Sequence, residues 1–191
     1  MSETLVHIPP LPVLRWDSYF WSGEAVLSTW AGFQARQGGY GAISGAEPSD
    51  GSVLLNVVSP DQDARAAPSK PQAAAFGYLL DAPAAVQAAI LKSLLQEYPS
   101  MRAQYDYPAD EVMPEVQSPY QFRELIGLST VHILAVAKSG FAYVGFEFGC
   151  LWDDEHGLGV LTHRDHVVDL GGADTAFLGW NAEEDARAGQ P

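Results

Sequence analysis

The sequence predicts an α+β fold, an antiparallel β-sheet with two or three helices packed on one side. Three observations carry this prediction. Alternating apolar and polar runs sit near both ends of the chain, two punctuated helical stripes lie between them, and two hairpin signals follow in succession. Strands, then helices, then a meander is an α+β order rather than a repeating βαβ one. The expected layout is a single domain over 1–191. It comprises a β-rich part at 11–58, a helical middle at 81–127, a β-meander at 129–171, and a C-terminal helix with a frayed tail at 173–191.

Taken in order, Val13, Arg15, Asp17 and Tyr19 interleave with Leu14, Trp16 and Phe20, and Ala25 to Trp30 follow a Ser22-Gly23-Glu24 turn signal. Alternation on either side of a glycine predicts a hairpin. Phe33 to Ser52 is rich in Gly and Ala and reads as either a bulged strand or a surface loop. Ser52 to Val58 reads as a strand ended by Ser59-Pro60, because proline lacks the donor a ladder needs. Asp61 to Ala75, small and polar, reads as a loop.

Asp81 is then positioned to cap a helix with Pro83 in its first turn and Val86, Ile90, Leu91, Leu94 and Leu95 as its apolar stripe, ended by Pro99. Ser118-Pro119-Tyr120-Gln121 has the spacing of a capping box, opening a helix through Phe122, Leu125 and Ile126 that Gly127 ends. From Ser129 the chain turns strongly β. Lys138-Ser139-Gly140 joins Val131–Val136 to Ala142–Phe148, and Arg164-Asp165 joins Gly159–His163 to His166–Leu170. Gly171-Gly172 closes the sheet, and Asp174 is positioned to cap a last helix through Phe177, Leu178 and Trp180, with a frayed tail from Ala182.

Composition narrows the function classes. With 47% apolar and 11% aromatic residues the 191-residue chain can bury a sizeable core, which excludes global disorder. Twenty-four Asp and Glu against ten Lys and Arg give a net charge of −14. Such a surface repels phosphate backbones and anionic headgroups, so neither nucleic acid nor membrane is an expected partner. The charge is uneven. Glu147 to Pro191 holds ten acidic and two basic residues, a net −8, whereas residues 1–146 carry −6. The N-terminus shows no basic region followed by an apolar run, and no apolar run approaches a membrane span, so a cytoplasmic protein is expected.

Chemistry-bearing residues concentrate in one place. Trp152-Asp153-Asp154-Glu155-His156 packs three carboxylates and an imidazole together, with His163 and His166 on the following hairpin. Asp153, Glu155, His156 and His163 are therefore the candidate metal ligands, and such a metal would activate water for hydrolysis. Against this, no HExxH helix is present and strand alternation sends neighbours to opposite faces, so a plain connecting turn is the stronger reading. Cys150 ends an apolar strand and reads as a small core residue rather than a nucleophile. Neither a Gly-x-Ser-x-Gly elbow nor a phosphate-binding glycine loop occurs. No catalytic residue and no cofactor are implied. His132, inside an apolar strand, reads as a structural histidine, and the cluster Trp16, Tyr19, Phe20, Trp21 and Trp30 as aromatics covered by a second layer.

The run Gly145 to Val160 resembles the C-terminal signature of a bacterial family of unknown function, in which a strand ends in Trp-Asp-x-Glu-His-Gly and continues as Gly-Val into a hairpin. The resemblance extends through Val168-Asp169-Leu170-Gly171 and rests on Trp152, Asp153, Glu155, His156 and Gly157. It covers about a quarter of the chain and reaches the N-terminal aromatics only loosely. Such proteins are similar to small acidic immunity proteins of toxin systems. The resemblance thus implies a non-enzymatic protein-binding module whose acidic face occludes the active site of a basic toxin domain. The expected contacts are Asp106, Asp110, Glu111 and Glu115 in one acidic loop, and Asp153, Asp154 and Glu155 in the other. The alternatives are a metal-dependent hydrolase built on the four ligands above and a regulatory scaffold.

Overall fold

A computed structural model describes residues 4–36, 42–43, 47–61, 65–104 and 112–188. Among them, eight strands form one sheet whose spatial order is the order of the chain. They are β1 (Leu5–Val6), β2 (Leu14–Trp16), β3 (Phe20–Val26), β4 (Ser52–Val58), β5 (Ile126–Lys138), β6 (Phe141–Cys150), β7 (Leu158–His163) and β8 (His166–Gly171). Neighbours pair antiparallel except β4 and β5, which run parallel. A parallel pair needs a long crossover. Here it is supplied by α1 (Lys70–Asp81) and α2 (Pro83–Gln104), which meet at 88°. A short α3 (Trp180–Ala188) ends the described chain. The α+β class stands as read from the sequence, with a sheet that is antiparallel but for the β4–β5 pair; the helices lie on both faces, α1 and α2 on one and α3 on the other, rather than on one side. Among the described residues no single helix is long and apolar enough to cross a membrane.

The helices pack by pattern. The sheet turns Leu55, Val57, Val144, Phe146 and Phe148 toward α1 and α2, which contribute Phe76, Leu79, Val86, Ile90 and Leu94 to one continuous core. The other face of the sheet is different in kind. There Leu134, Tyr143 and Leu161 form a small cluster under Ala182 of α3. The Ala173–Ala176 3-10 turn sits directly on β6. A Cβ at Gly145 would lie 1.7 Å from the Ala176 carbonyl oxygen, so only glycine admits this approach. Toward β3 and β4 this second face carries Val26 and Leu54 open to solvent, Leu54 with 52% of its surface exposed.

Several local expectations are corrected. The N-terminal turn falls at Asp17–Tyr19, where Ser18 adopts a positive φ of 75°, and not at Ser22–Glu24, which lies inside β3. Trp30 belongs to a 3-10 turn at Ser28–Trp30 rather than to a strand. Of the Phe33–Ser52 stretch, 37–41 and 44–46 lie outside the described residues; the described ones before Ser52, the first residue of β4, hold an isolated Arg36–Ile43 bridge. The expected loop through Ala75 is instead helical from Lys70, because Ser69 and Gln72 form a full capping box. Asp81 therefore ends α1 instead of capping α2. Pro99 sits within α2 at an exposed position and does not end the helix.

The Ser118–Gln121 capping box forms as expected but opens only the 3-10 turn Pro119–Glu124, and Gly127 falls inside β5. Asp174 lies inside the Ala173–Ala176 turn, whose N-cap is Gly172, and α3 begins only at Trp180. The tail expected to fray from Ala182 is helical through Ala188, with Ala182 fully buried. Trp21 and Trp30 are covered, while Tyr19 at the corrected turn is exposed.

One residue ties the crossover to the sheet. Gln72 is fully buried at the start of α1, and its Oε1 accepts from the Ser69 amide. Its Nε2 donates to the carbonyls of Val58 at 2.7 Å and Leu134 at 3.1 Å. Those carbonyls belong to the end of β4 and to an irregularity of β5, between Ile133 and Ala137, that slips two residues against β6. A glutamine thereby satisfies backbone groups that the interrupted ladder leaves over.

Candidate functional site

The connection from Leu151 to Gly157, between β6 and β7, is built by its own sequence. Trp152 is buried against the Tyr98 ring of α2, with centroids 5.6 Å apart and planes at 70°. Asp153 Oδ1 accepts from the His156 amide at 2.8 Å and lies 3.1 Å from His156 Nδ1, which folds the turn. Gly157 then takes a φ of 61°, and a Cβ there would meet the Phe148 carbonyl oxygen at 2.8 Å. The His156 carbonyl accepts from the Ala173 amide, tying the turn to the segment that covers β6. Trp, Asp, His and Gly of the motif thus have structural roles, and the remaining residues, Asp154 and Glu155, are exposed, Glu155 at the edge of a cavity.

Behind this turn lies a cavity of about 760 Å³, lined by Glu147, Glu155, His156, Gly157, Gly172, Ala173, Asp174 and Phe177 with the Phe148 backbone strand beneath. Glu147 is held in place from below. Its Oε2 lies 2.8 Å from His132 Nε2, so the imidazole N–H donates to the carboxylate. The His132 ring is buried between Phe20 and Phe177, at centroid distances of 6.3 and 5.4 Å. His132 Nδ1 is buried and makes no hydrogen bond. His132 is structural, as expected, but only one of its two nitrogens is satisfied.

The candidate metal ligands are not gathered. Asp153 and His156 meet each other in the turn, Glu155 is exposed at the cavity, and His163 lies at the far end of β7. Five strand steps from Leu158 to His163 put it roughly 17 Å along the sheet. There His163 Nε2 donates to the Lys138 carbonyl at 2.9 Å, and its ring lies against Tyr143. His166 stands beside it at the tip of that hairpin, equally remote. Among the described residues no group of three or more His, Cys, Asp or Glu is placed to hold a metal ion. Cys150 is a core residue, as expected: burial pushes its thiol up to about 12, and its Sγ lies 3.6 Å from the Asp153 carbonyl oxygen. A thiolate, the nucleophilic form, is suppressed there.

The two acidic segments differ. Asp106, Asp110 and Glu111 lie outside the described residues. Glu115 is exposed, 3.9 Å from the Arg102 guanidinium. Asp153 is engaged in the turn, which leaves Asp154 and Glu155 as the presented carboxylates. The sequence assigns no functional part to Glu147, Asp174 or Phe177, all of which line the cavity. For Glu147 the signal exists: counted back from the Ser139-Gly140 turn, a regular hairpin sets it opposite His132. The irregularities of β5 move Gly145 into that place, and Glu147 reaches His132 diagonally.

No curated protein and no solved structure matches the chain. A family model described as "Domain of unknown function (DUF6985)" matches residues 45–178. That span runs from the approach to β4 through the last residues of the cavity wall, and leaves β1–β3 and α3 outside it. Since the match covers well over half of its length, this chain belongs to the DUF6985 family.

Proposed function

We propose that this protein is a non-enzymatic binding module for a basic protein partner, and that in its fuller form it is an immunity protein that covers the active site of a bacterial toxin. One observation carries the reading. The motif that looks most like chemistry spends its Trp, Asp, His and Gly on holding a turn and presents Asp154 and Glu155 outward beside an open cavity. A net charge of −14 supports it, since a concentrated field of one sign accelerates association with a basic partner. Exposed Val26 and Leu54 on the uncovered part of the same sheet face add apolar contact area. A cytoplasmic setting belongs to the same reading.

The test is capture from source cells with the full-length tagged chain, followed by association kinetics with the captured protein at several salt concentrations. Neutralising Asp154, Glu155 and Glu115 together with Asp106, Asp110 and Glu111 is expected to slow association by about tenfold and to flatten its salt dependence. Unchanged rates and unchanged salt dependence would sink the electrostatic mechanism. Stoichiometric zinc or manganese in the purified chain, with no protein partner, would overturn the reading as a whole.

A further inference from the structure

We infer that the cavity behind the Leu151–Gly157 turn is a guanidinium pocket that receives one arginine side chain of the partner. The inference rests on the reading of the chain as a module for a basic protein, and it names where the anchoring residue goes. Charge decides the sign of the occupant. Glu147, Glu155 and Asp174 line the cavity, and no Lys or Arg is among the described residues that do. An anionic group would meet three carboxylates, whereas a cation meets its complement.

Shape and chemistry decide the kind of cation. Phe177 forms one wall with 40% of its surface exposed, a flat aromatic face at the cavity mouth. Gly157, Gly172 and Ala173 give a floor without long side chains, against which a methylene stem can lie. Guanidinium stacks on an aromatic face and forks onto carboxylate oxygens, two interactions an ammonium makes less well. The volume of about 760 Å³ admits such a side chain together with its own flanking backbone.

The site is also built rather than merely acidic. The His132 side chain, 6% exposed, holds Glu147 Oε2 at 2.8 Å, so this carboxylate is fixed at the wall before any ligand arrives. The same His132 ring backs Phe177. A buried residue of the sheet thus orients both the carboxylate and the aromatic wall. Preorganisation of this kind is what lets a single anchor residue count at an interface.

The experiment titrates the full chain with Nα-acetyl-arginine amide, and with its lysine and citrulline counterparts, following backbone amide NMR shifts. Expected are saturable shifts centred on Glu155–Gly157 and Gly172–Phe177, with citrulline, the neutral isostere, weaker by at least about tenfold. Phe177→Ala and Glu155→Gln should each weaken the arginine probe roughly threefold to tenfold. Glu155 is exposed, whereas Phe177 also covers His132, so an unchanged urea midpoint is required of the Phe177 variant before its binding is compared. Equal binding of arginine and citrulline, lysine binding as tightly as arginine, or shifts confined to other surfaces would overturn the pocket. Capture of a basic partner that is indifferent to Phe177→Ala and Glu155→Gln would overturn the pocket and leave the wider reading intact. Arginine binding at the cavity by a chain that captures no basic protein would support the pocket and overturn the wider reading.

Discussion

The two faces of this sheet are built on different principles. Under α1 and α2 the strands contribute an unbroken apolar layer with Leu55, Val57, Phe146 and Phe148 at its centre. On the opposite face the buried apolar cluster is small, Leu134, Tyr143, Leu161 and Ala182 with Val58, Val136, Val168 and Ala186 packed against it, and polar pairs stand beside it. There Tyr143 Oη donates to Asp185 at 2.6 Å, Lys138 Nζ reaches the same carboxylate at 2.9 Å, and His132 holds Glu147. Buried area stabilises in proportion to its extent, whereas each polar pair adds little net energy but fixes direction. The first face therefore supplies stability, and the second supplies orientation at the cavity.

The largest expected effect lies on the apolar face. Phe146→Ala should cost about 3–5 kcal/mol in urea unfolding, as for large buried aromatics elsewhere. Next comes the seam between crossover and sheet. Gln72→Leu leaves the Val58 and Leu134 carbonyls without their donor and should cost about 2–3 kcal/mol. Tyr143→Phe, on the second face, removes one hydrogen bond and should cost about 1 kcal/mol. A loss matching that of Phe146→Ala would break the comparison, because the second face would then be a core in its own right.

Acid sharpens the same contrast. The Tyr143 hydroxyl first, and the Lys138 ammonium second, hold the Asp185 carboxyl below its ordinary range. A carboxyl depressed in the folded state contributes stability that is complete above its unfolded value, near pH 4, and is lost as pH falls through the folded value. Urea midpoints measured from pH 5 downward should therefore drop more steeply for the native chain than for Asp185→Asn. Identical acid limbs would show that α3 is not held by this carboxylate. The smallest effect belongs to the presented carboxylates. Asp154→Asn with Glu155→Gln should leave stability within about 0.5 kcal/mol, so a change in partner binding there reports on the interface alone.

Much of this was legible in the chain. Hairpins at Ser139-Gly140 and Arg164-Asp165 declare themselves because short turns between alternating strands have few other uses. The missed helix α1 also carried its sign, Ser69-Lys70-Pro71-Gln72, but the alanines behind it look like loop composition rather than an apolar stripe. Pro99 misled for the opposite reason. A strong local stop is overridden where Tyr98 beside it is locked between Phe122 and Trp152. The cavity was the least legible part. It joins β6, the Gly157 turn and Phe177, and no local pattern announces that the segment after β8 folds back over Gly145.

The coincidence of strand order with chain order has a kinetic side. Two runs of neighbours, β1 to β4 and β5 to β8, can each pair their strands at modest separation along the chain, while among the strand pairings only the parallel β4–β5 seam joins residues as distant as Asn56 and His132. Folding rates follow the average separation of contacting residues, and closing the longest loop costs the most entropy before it returns any contact. The seam that Gln72 secures is thus where the barrier should concentrate. The β5–β8 meander can complete as a late, self-contained unit during synthesis, with the cavity turn already folded inside it when α3 arrives.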